Sequence, residues 1–383
     1  MINSFKNIPK KTSSIGCLDS GGLDSAYMIC KLVERGVRDI HVLTLDIGQE
    51  DCDAIIFAPK IEQKLIRHRI DVKDIFCESY VLPLLHANGV YSNQHPLSAS
   101  LSRPLIALTL VNLAKEYNLE IILHAATPSQ NSMRRFNGAI KDLGYKGAYG
   151  SPYTHDHVSR SEKSKYVESC GAIVPKQRNF SIDSNIFCRE FESGNLNNAE
   201  SVYPPDEMFV WTKERNQPDQ EITIQFQKGR PTSINGNDYE LSGLITELNQ
   251  VAGSYGLGRY RGLEENPFGE KVIEVREAPA AFVLLQAYQY LLNATQTQST
   301  LVAKSQLEQL WTREASEGRW FGPLKQAIDS FNQSLMSEIS GSVSFELSSR
   351  SCAFVGVKAT TALYTTDREY NEHKHLQKIK IAA

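Results

Sequence analysis

Along the first 170 residues, short β-prone runs alternate with longer stretches of helical spacing. Residues 13–18, 40–45 (Ile-His-Val-Leu-Thr-Leu) and 120–124 are predicted as strands, and 75–78 as a weaker one. Residues 25–35 carry Tyr27, Met28 and Leu32 on one helical face, and Gly36 is placed to cap that helix. Residues 54–68 read as a second helix. Residues 104–117 read as a third, with Pro104 at or near its first turn, where a missing N–H costs nothing. This rhythm predicts an α/β fold with a mainly parallel sheet covered on both faces.

The rhythm changes after about residue 171. Ile222, Ile224 and Phe226 alternate with polar residues, Gly229-Arg230-Pro231 turns the chain, and residues 232–234 follow. That is the pattern of a hairpin in a half-exposed antiparallel sheet. Residues 242–255 and 280–292 are amphipathic helices, and 342–347 and 353–357 are strands. The expected organisation is a loose leader over residues 1–12, an α/β domain over 12–171, an α+β domain over 172–367 and a short tail over 368–383. No internal repeat or low-complexity tract is visible.

With 41% hydrophobic residues in 383, the chain can fill more than one core. A formal net charge of −3 gives no electrostatic footprint for nucleic acid or an anionic membrane surface. The basic tail at 374–380 reads as a solvated end. No apolar run is long enough to span a bilayer, and the polar N-terminus lacks the apolar stretch of a signal peptide. Seven cysteines at wide spacings, with no Cys-x-x-Cys, argue against a zinc ribbon or redox motif and fit a reducing, cytoplasmic setting.

The chemistry concentrates at Leu18-Asp19-Ser20-Gly21-Gly22-Leu23-Asp24-Ser25, between a predicted strand and a predicted helix. Two glycines let the backbone turn tightly and present its amides, the helix N-terminus favours an anion, and Ser20 and Ser25 add hydroxyl donors. No Gly-Lys-Ser/Thr follows, so this is not a Walker A loop. A Gly-Gly turn alone is weak, since many strand-to-helix turns are purely structural; the whole string in this context is far more specific.

The string resembles the pyrophosphate loop of the ATP-pyrophosphatase superfamily, whose members cleave ATP between the α and β phosphates and transfer AMP to a substrate oxygen. Further motifs resemble argininosuccinate synthase, in order along nearly the whole chain. Leu45-Asp46-Ile47-Gly48-Gln49-Glu50-Asp51 is similar to the family's adenine segment. Tyr91, then Ser98-Ala99-Ser100-Leu101-Ser102-Arg103-Pro104, is similar to its Tyr…Gly-Thr-Ser-Leu-Ala-Arg-Pro. His124-Ala125-Ala126-Thr127 to Asn131, then Arg135-Phe136, is similar to its His-Gly-Ala-Thr…Val-Arg-Phe. Phe180-Ser181-Ile182-Asp183-Ser184-Asn185, Pro204-Pro205-Asp206 with Trp211-Thr212, Gly256-Leu257-Gly258-Arg259 with Glu265-Asn266, and Gly356-Val357-Lys358-Ala359 with Leu363-Tyr364 follow.

The resemblance implies a nucleotide-binding domain of the adenine nucleotide alpha hydrolase type with a second, α+β synthetase domain. It implies ATP with Mg²⁺ on the phosphates and no metal ligand from the protein. ATP would be held by Leu18, Asp19, Ser20, Gly21, Gly22, Leu23, Asp24, Ser25, Leu45, Ala125 and Thr127. A citrulline-like acceptor would meet Tyr91, Ser100, Asn131, Arg135, Ser181, Glu190, Glu265 and Arg276. An aspartate-like amine would meet Thr127, Asn131 and Ser132. The family is tetrameric with C-terminal arms; the chain after Tyr364 is short here, so a dimer or a looser tetramer is expected.

The departures fall where substrates bind. Ser132 replaces an aspartate that holds the amino group of the nucleophile, Ala99 a threonine, Glu190 a serine and Arg276 a tyrosine. Near ATP, Asp19 replaces a tyrosine, Ala26 a serine, and 125–130 a glycine-rich turn. Glu190 and Arg276 either pair with each other or with solvent, or mark a different acceptor, Arg276 suiting a carboxylate or phosphonate by a bidentate contact. His41, His68, His86 and His157 read as ordinary core or surface histidines. Three functions follow: a citrulline–aspartate ligase; a paralogue running the same adenylate chemistry on another acceptor and amine; and a non-catalytic nucleotide-binding regulator. A tRNA-modifying role is disfavoured by the absence of cysteine pairs and of basic character.

Overall fold

The computed structural model describes residues 1–10, 12, 14–49, 55–175 and 180–382. Cys52 and the Glu50-Asp51 end of the adenine segment therefore lie outside the described residues. The N-terminal half contains strands β1 (Ser14–Leu18), β2 (Asp39–Asp46), β3 (Leu65–Asp71), β4 (Val90–Tyr91), β5 (His95–Pro96), β6 (Ile121–Leu123) and β7 (Ala148–Gly150). Five of them form an all-parallel sheet in the order β3-β2-β1-β6-β7, while β4 and β5 pair antiparallel. The sequence rhythm predicted this sheet, and the period-2 pattern divides it cleanly. Ile15 and Cys17 of β1 join a core with helix α1 (Leu23–Glu34), whereas Gly16 turns towards Leu110 and Ile122 on the opposite side.

Three segments depart from expectation. Residues 54–68, read as a helix, give only the short α2 (Pro59–Glu62) before the chain becomes β3. Pairing with β2 in parallel register, Leu65 to Ile40 through Asp71 to Asp46, outweighs the weak helical spacing. Residues 75–78, read as a strand, lie in a continuous helical run: α3 (Lys73–Phe76), a π turn (Cys77–Val81) and α4 (Leu82–His86). Phe76, Tyr80 and Leu84, and Cys77, Val81 and Leu85, repeat every four residues and are buried, a stripe that a four-residue window does not reveal. The leader is not loose: Ile2 bridges to Gly150, and Phe5 and Ile8 are buried against the α1 core.

Helix α5 (Ala99–Glu116) starts five residues before Pro104, which lies inside it. Then come α6 (Asn131–Asp142) and α7 (Arg160–Ser169), the latter opened by a Ser159/Glu162 capping box and packed on α1, with the Tyr27 and Tyr166 rings 5.0 Å apart.

The C-terminal half is sheet-rich. It contains β8 (Ser181–Ser184), β9 (Arg189–Glu192), β10 (Gln220–Gln227), β11 (Arg230–Ile234), β12 (Asn237–Asp238), β13 (Arg259–Glu265), β14 (Lys271–Glu277), β15 (Gly341–Ser348) and β16 (Ser351–Ala359). Its helices are α8 (Leu241–Ser254), α9 (Pro279–Thr295), α10 (Gln298–Ser316), α11 (Pro323–Met336) and α12 (Arg368–Ala382). One antiparallel sheet runs β12-β11-β10-β15-β16 and another β13-β14-β9-β8. The predicted hairpin turns at Lys228 and Gly229, both at positive φ, so Arg230 and Pro231 already belong to β11. A single apolar core runs from Leu84 and Leu105 through Ile224, Leu248 and Leu284, joining the two halves.

Candidate active site

β1 is flanked by β2 on one side and β6 on the other, with the chain leaving in opposite directions. The carboxyl ends of β1 and β6 therefore frame the crevice where open parallel sheets bind ligands. The glycine loop occupies the β1 side. Gly21 sits at φ 73°, a conformation that a side chain would strain, and Gly22 is the N-cap of α1. One oxygen of Asp19 accepts from the Gly21 N–H at 2.9 Å and from the Ser25 hydroxyl at 2.8 Å. The loop is thereby held around its own acid, with Ser20 and Gly22 exposed at the mouth. The Asp19 carboxylate lies 3.6 Å from Arg67 of β3, which also grips Glu62. Asp24 turns away to pair with Lys163 of α7 at 2.6 Å, and its carbonyl accepts from Tyr153 at 2.7 Å.

The other loops at these strand ends are also internally braced. After β2, Gln49 donates to the Leu45 carbonyl at 2.5 Å and accepts from the Ile47 N–H, fixing the segment assigned to adenine. After β6, Gln130 accepts from the Thr127 N–H at 3.0 Å, and Thr127 and Ser129 share a hydroxyl contact. His124 is fully buried beside Asn137, and burial pushes its imidazole down to about 4, so it is a neutral brace of this loop rather than a charged group. Ala125 lies between the two.

The second feature is one face of the β13-β14-β9-β8 sheet. Period-2 alternation puts Ile182, Phe191, Val275 and Ile273 on an apolar side, packed with Met208 and Phe209. The register aligns Asp183 with Glu190, Glu190 with Arg276, Arg276 with Tyr260, and Glu274 with Gly262, so the opposite side is charged. That side is nevertheless buried: Arg276 is 1% exposed, Glu264 1% and Glu274 4%. Arg276 donates to Glu274, to Glu264 at 3.1 Å and to the Pro96 carbonyl, and lies 3.2 Å from Glu190.

Two helix starts close over this face. From α6, Arg135 donates to Glu264 at 2.5 Å, and Asn131 to the same carboxylate at 3.0 Å. From α5, Arg103 bonds Asp183 and also Ser132 at 3.1 Å. Burial raises the Glu264 carboxyl, but Arg135 and Arg276 outweigh it and hold the group down at about 2. Burial drives Glu190 and Glu274 upwards, and lifts Glu192 to about 7 with help from Glu190 and Asp183.

The sequence-assigned acceptor residues Ser181, Glu190 and Arg276 share this sheet face, and Asn131 and Arg135 reach it from α6. Ser100 is buried in the first turn of α5. Glu265 is elsewhere: its carboxylate is exposed and pairs with Lys271 at 2.6 Å, while its N–H donates to the Tyr91 hydroxyl at 3.3 Å. The neighbouring Glu264 is the one inside. Ser132 is occupied by Arg103. Sequence reading missed Arg67, Arg103, Lys163, His95, Glu264 and Glu274. Period 2 puts Glu274 and Arg276 on one face of a strand, but that Glu264 shares this face follows only from the β13–β14 register.

Two family models match the chain: an arginosuccinate synthase N-terminal HUP domain over residues 17–173, and an arginosuccinate synthase C-terminal domain over 180–382. Among curated proteins, the argininosuccinate synthase of Pyrococcus furiosus is 35% identical over 90% of this chain and 85% of its own length. That of Dictyoglomus turgidum is 33% identical over 90% and 87%, and that of Synechococcus sp. WH7803 36% over 86% and 83%. No helix among the described residues is long and apolar enough to cross a membrane.

Proposed function

The chain belongs to the argininosuccinate synthase family of ATP-dependent carbon–nitrogen ligases, and from that premise we propose that it adenylates a ureido-type oxygen and then replaces AMP with an amino-acid amine. The acceptor oxygen attacks the α-phosphorus of ATP, and the bond to the β-phosphate oxygen breaks to release pyrophosphate. The ureido carbon, a poor electrophile, then carries AMP as a leaving group. The amine nitrogen adds to that carbon, loses a proton, and AMP departs. Citrulline and aspartate are the reference substrates, as the relatives' name implies.

The observation that carries this reading is the loop at the carboxyl end of β1. Gly21 at positive φ, the N-terminus of α1 and the exposed Ser20 meet at one place, and the Gly21 N–H and Ser25 hydroxyl, which Asp19 now holds, would turn to a pyrophosphate group as it binds. Mg²⁺ would arrive with the ATP phosphates and offset their charge; the chain's own part is to hold the phosphates and orient the acceptor. Exposed Phe354 and Val355 in β16, Tyr370 in α12 and Leu363 between them support a homo-oligomer as part of the proposal.

A second reading has an observation of its own. In the region assigned to the acceptor, Glu190, Glu264 and Glu274 surround a buried Arg276, and Ser132 stands bonded to Arg103 where an acid would meet an ammonium. This favours a paralogue that runs the same chemistry on another acceptor and amine. Pyrophosphate release is measured with ATP, citrulline and aspartate, then with a panel of ureido and carboxylate acceptors and other amines. Turnover at ordinary enzymatic rates with citrulline and aspartate ends the second reading. Release only with other pairs ends the first.

A further inference from the structure

The charged sheet face holds one side chain that the proposed reaction does not use. His95, at the start of β5, is fully buried, and neither ring nitrogen makes a well-formed hydrogen bond, the Pro96 backbone beside it being its one weak polar neighbour among the described residues. An imidazole stripped of water with so little in return is costly. The ring is nevertheless carefully seated. It stacks on Tyr91 with centroids 5.7 Å apart and planes 10° from parallel. Gly262 of β13 leaves the space its edge fills, since a Cβ there would lie 2.4 Å from Cδ2 and 3.0 Å from Nε2. One nitrogen of His95 and one carboxylate oxygen each from Glu264 and Glu274 lie within 4.8 Å of one another.

We propose that His95, Glu264 and Glu274 bind one first-row divalent cation of the zinc type, separate from the magnesium that accompanies ATP. One imidazole and two carboxylates form a donor set that Zn²⁺ accepts, whereas Mg²⁺ prefers oxygen and water. The carboxylates are engaged but not exhausted. Glu264 accepts from Arg135, Asn131 and Arg276, and Glu274 from Arg276, yet each carboxylate oxygen has two lone pairs. Charge points the same way. Among the described residues, Asp183, Glu190, Glu192, Glu264 and Glu274 face the guanidiniums of Arg103, Arg135 and Arg276. These acids outnumber the guanidiniums, and burial drives Glu190, Glu192 and Glu274 towards their protonated forms; a divalent ion would offset the charge of the carboxylates it binds. Arg276, 3.2 Å from Glu190, keeps a carboxylate partner when the ion takes the other two. The ion would tie β13 and β14 to the β4–β5 pair, fixing one wall of the charged face without touching the reacting atoms.

The full chain is stripped with a chelator and titrated with Zn²⁺ against a chromophoric competitor. One equivalent is expected to bind, and zinc-edge X-ray absorption on the unmodified protein is expected to show one imidazole, oxygen donors and no sulfur. His95→Asn and Glu274→Gln each weaken binding at least about 100-fold, no less than the loss of an outer-sphere partner costs. Gly262→Ala, which removes no ligand, weakens it by displacing the ring. His68→Gln, which alters the separate His41–His68 pair, leaves it unchanged. If the stripped chain takes up no Zn²⁺, if the absorption spectrum shows no imidazole, or if binding survives His95→Asn unchanged, the proposal is overturned.

Discussion

The Ser25 hydroxyl donates to Asp19 at 2.8 Å, and the same carboxylate lies 3.6 Å from the guanidinium of Arg67. On the proposed function, phosphates held by this loop would rest beside an acid, and the arginine would offset the charge that Asp19 brings to an anion site. Arg67→Gln is therefore expected to weaken ATP binding about fivefold, on the scale of a partly exposed ion pair, and more strongly at low salt. Adding Asp19→Asn should restore part of the loss. Calorimetric titration with ATP checks this; strictly additive losses would show that the two residues act independently.

Asp24 is the loop acid whose removal is expected to end ATP turnover, and its geometry adds a second effect. Its partner Lys163 is only 6% exposed, so Asp24→Ala strands a buried ammonium and costs about 1–3 kcal/mol of stability. Lys163→Met in the Asp24→Ala background should recover stability in urea unfolding without recovering turnover. Recovery of both would mean that Asp24 serves the fold alone.

Arg135 and Glu264 form a buried pair at 2.5 Å. Breaking a buried pair from one side costs about 3–5 kcal/mol when the surviving charge is left alone, and less here, because Glu264 keeps Arg276 at 3.1 Å and Asn131 at 3.0 Å. Arg135→Met should lower the unfolding free energy from urea titration by about 1–3 kcal/mol, and Arg135→Met with Glu264→Gln should lower it less. A double variant no better than the single one would place the cost in lost packing instead.

The pH dependence of stability follows from Glu192, whose carboxyl is raised to about 7 by burial and by Glu190 and Asp183, against the pull of Arg103 and with Glu264 facing it from β13. The folded state holds this proton more tightly than the unfolded chain, whose glutamates titrate near 4.5. The stabilising contribution is complete below about 4.5 and is lost as pH rises through about 7, a decline of about 1–3 kcal/mol. Glu192→Gln should flatten the unfolding free energy between pH 5 and 8 and exceed the parent at pH 8. An unchanged slope would contradict this assignment.

Much of this architecture is legible in the sequence because local pattern and tertiary structure agree. β1, β2 and β6 are short apolar runs beside glycine or helical spacing, and the loop between β1 and α1 carries its chemistry in consecutive residues. The departures have a physical cause. Residues 65–71 become a strand only because β2 offers an edge in register, and 73–86 become a helix through a stripe that repeats every four residues and outruns any short window. The charged face is half legible: Glu190 and Arg276 stand out as departures from the family pattern, whereas Glu264 and Glu274 gain meaning only once β13 and β14 pair. His95 gives no sequence signal; what distinguishes it is burial without a well-formed hydrogen bond.

On the proposed function, the loop at Ser20–Ser25 positions ATP for cleavage between its α and β phosphates. Phosphorus NMR of the products formed from ATP and an active acceptor–amine pair tests it most directly. AMP and pyrophosphate in equal amounts, formed only when both acceptor and amine are present, are the predicted result. ADP and inorganic phosphate, or bound ATP that is never cleaved with any pair, would contradict it.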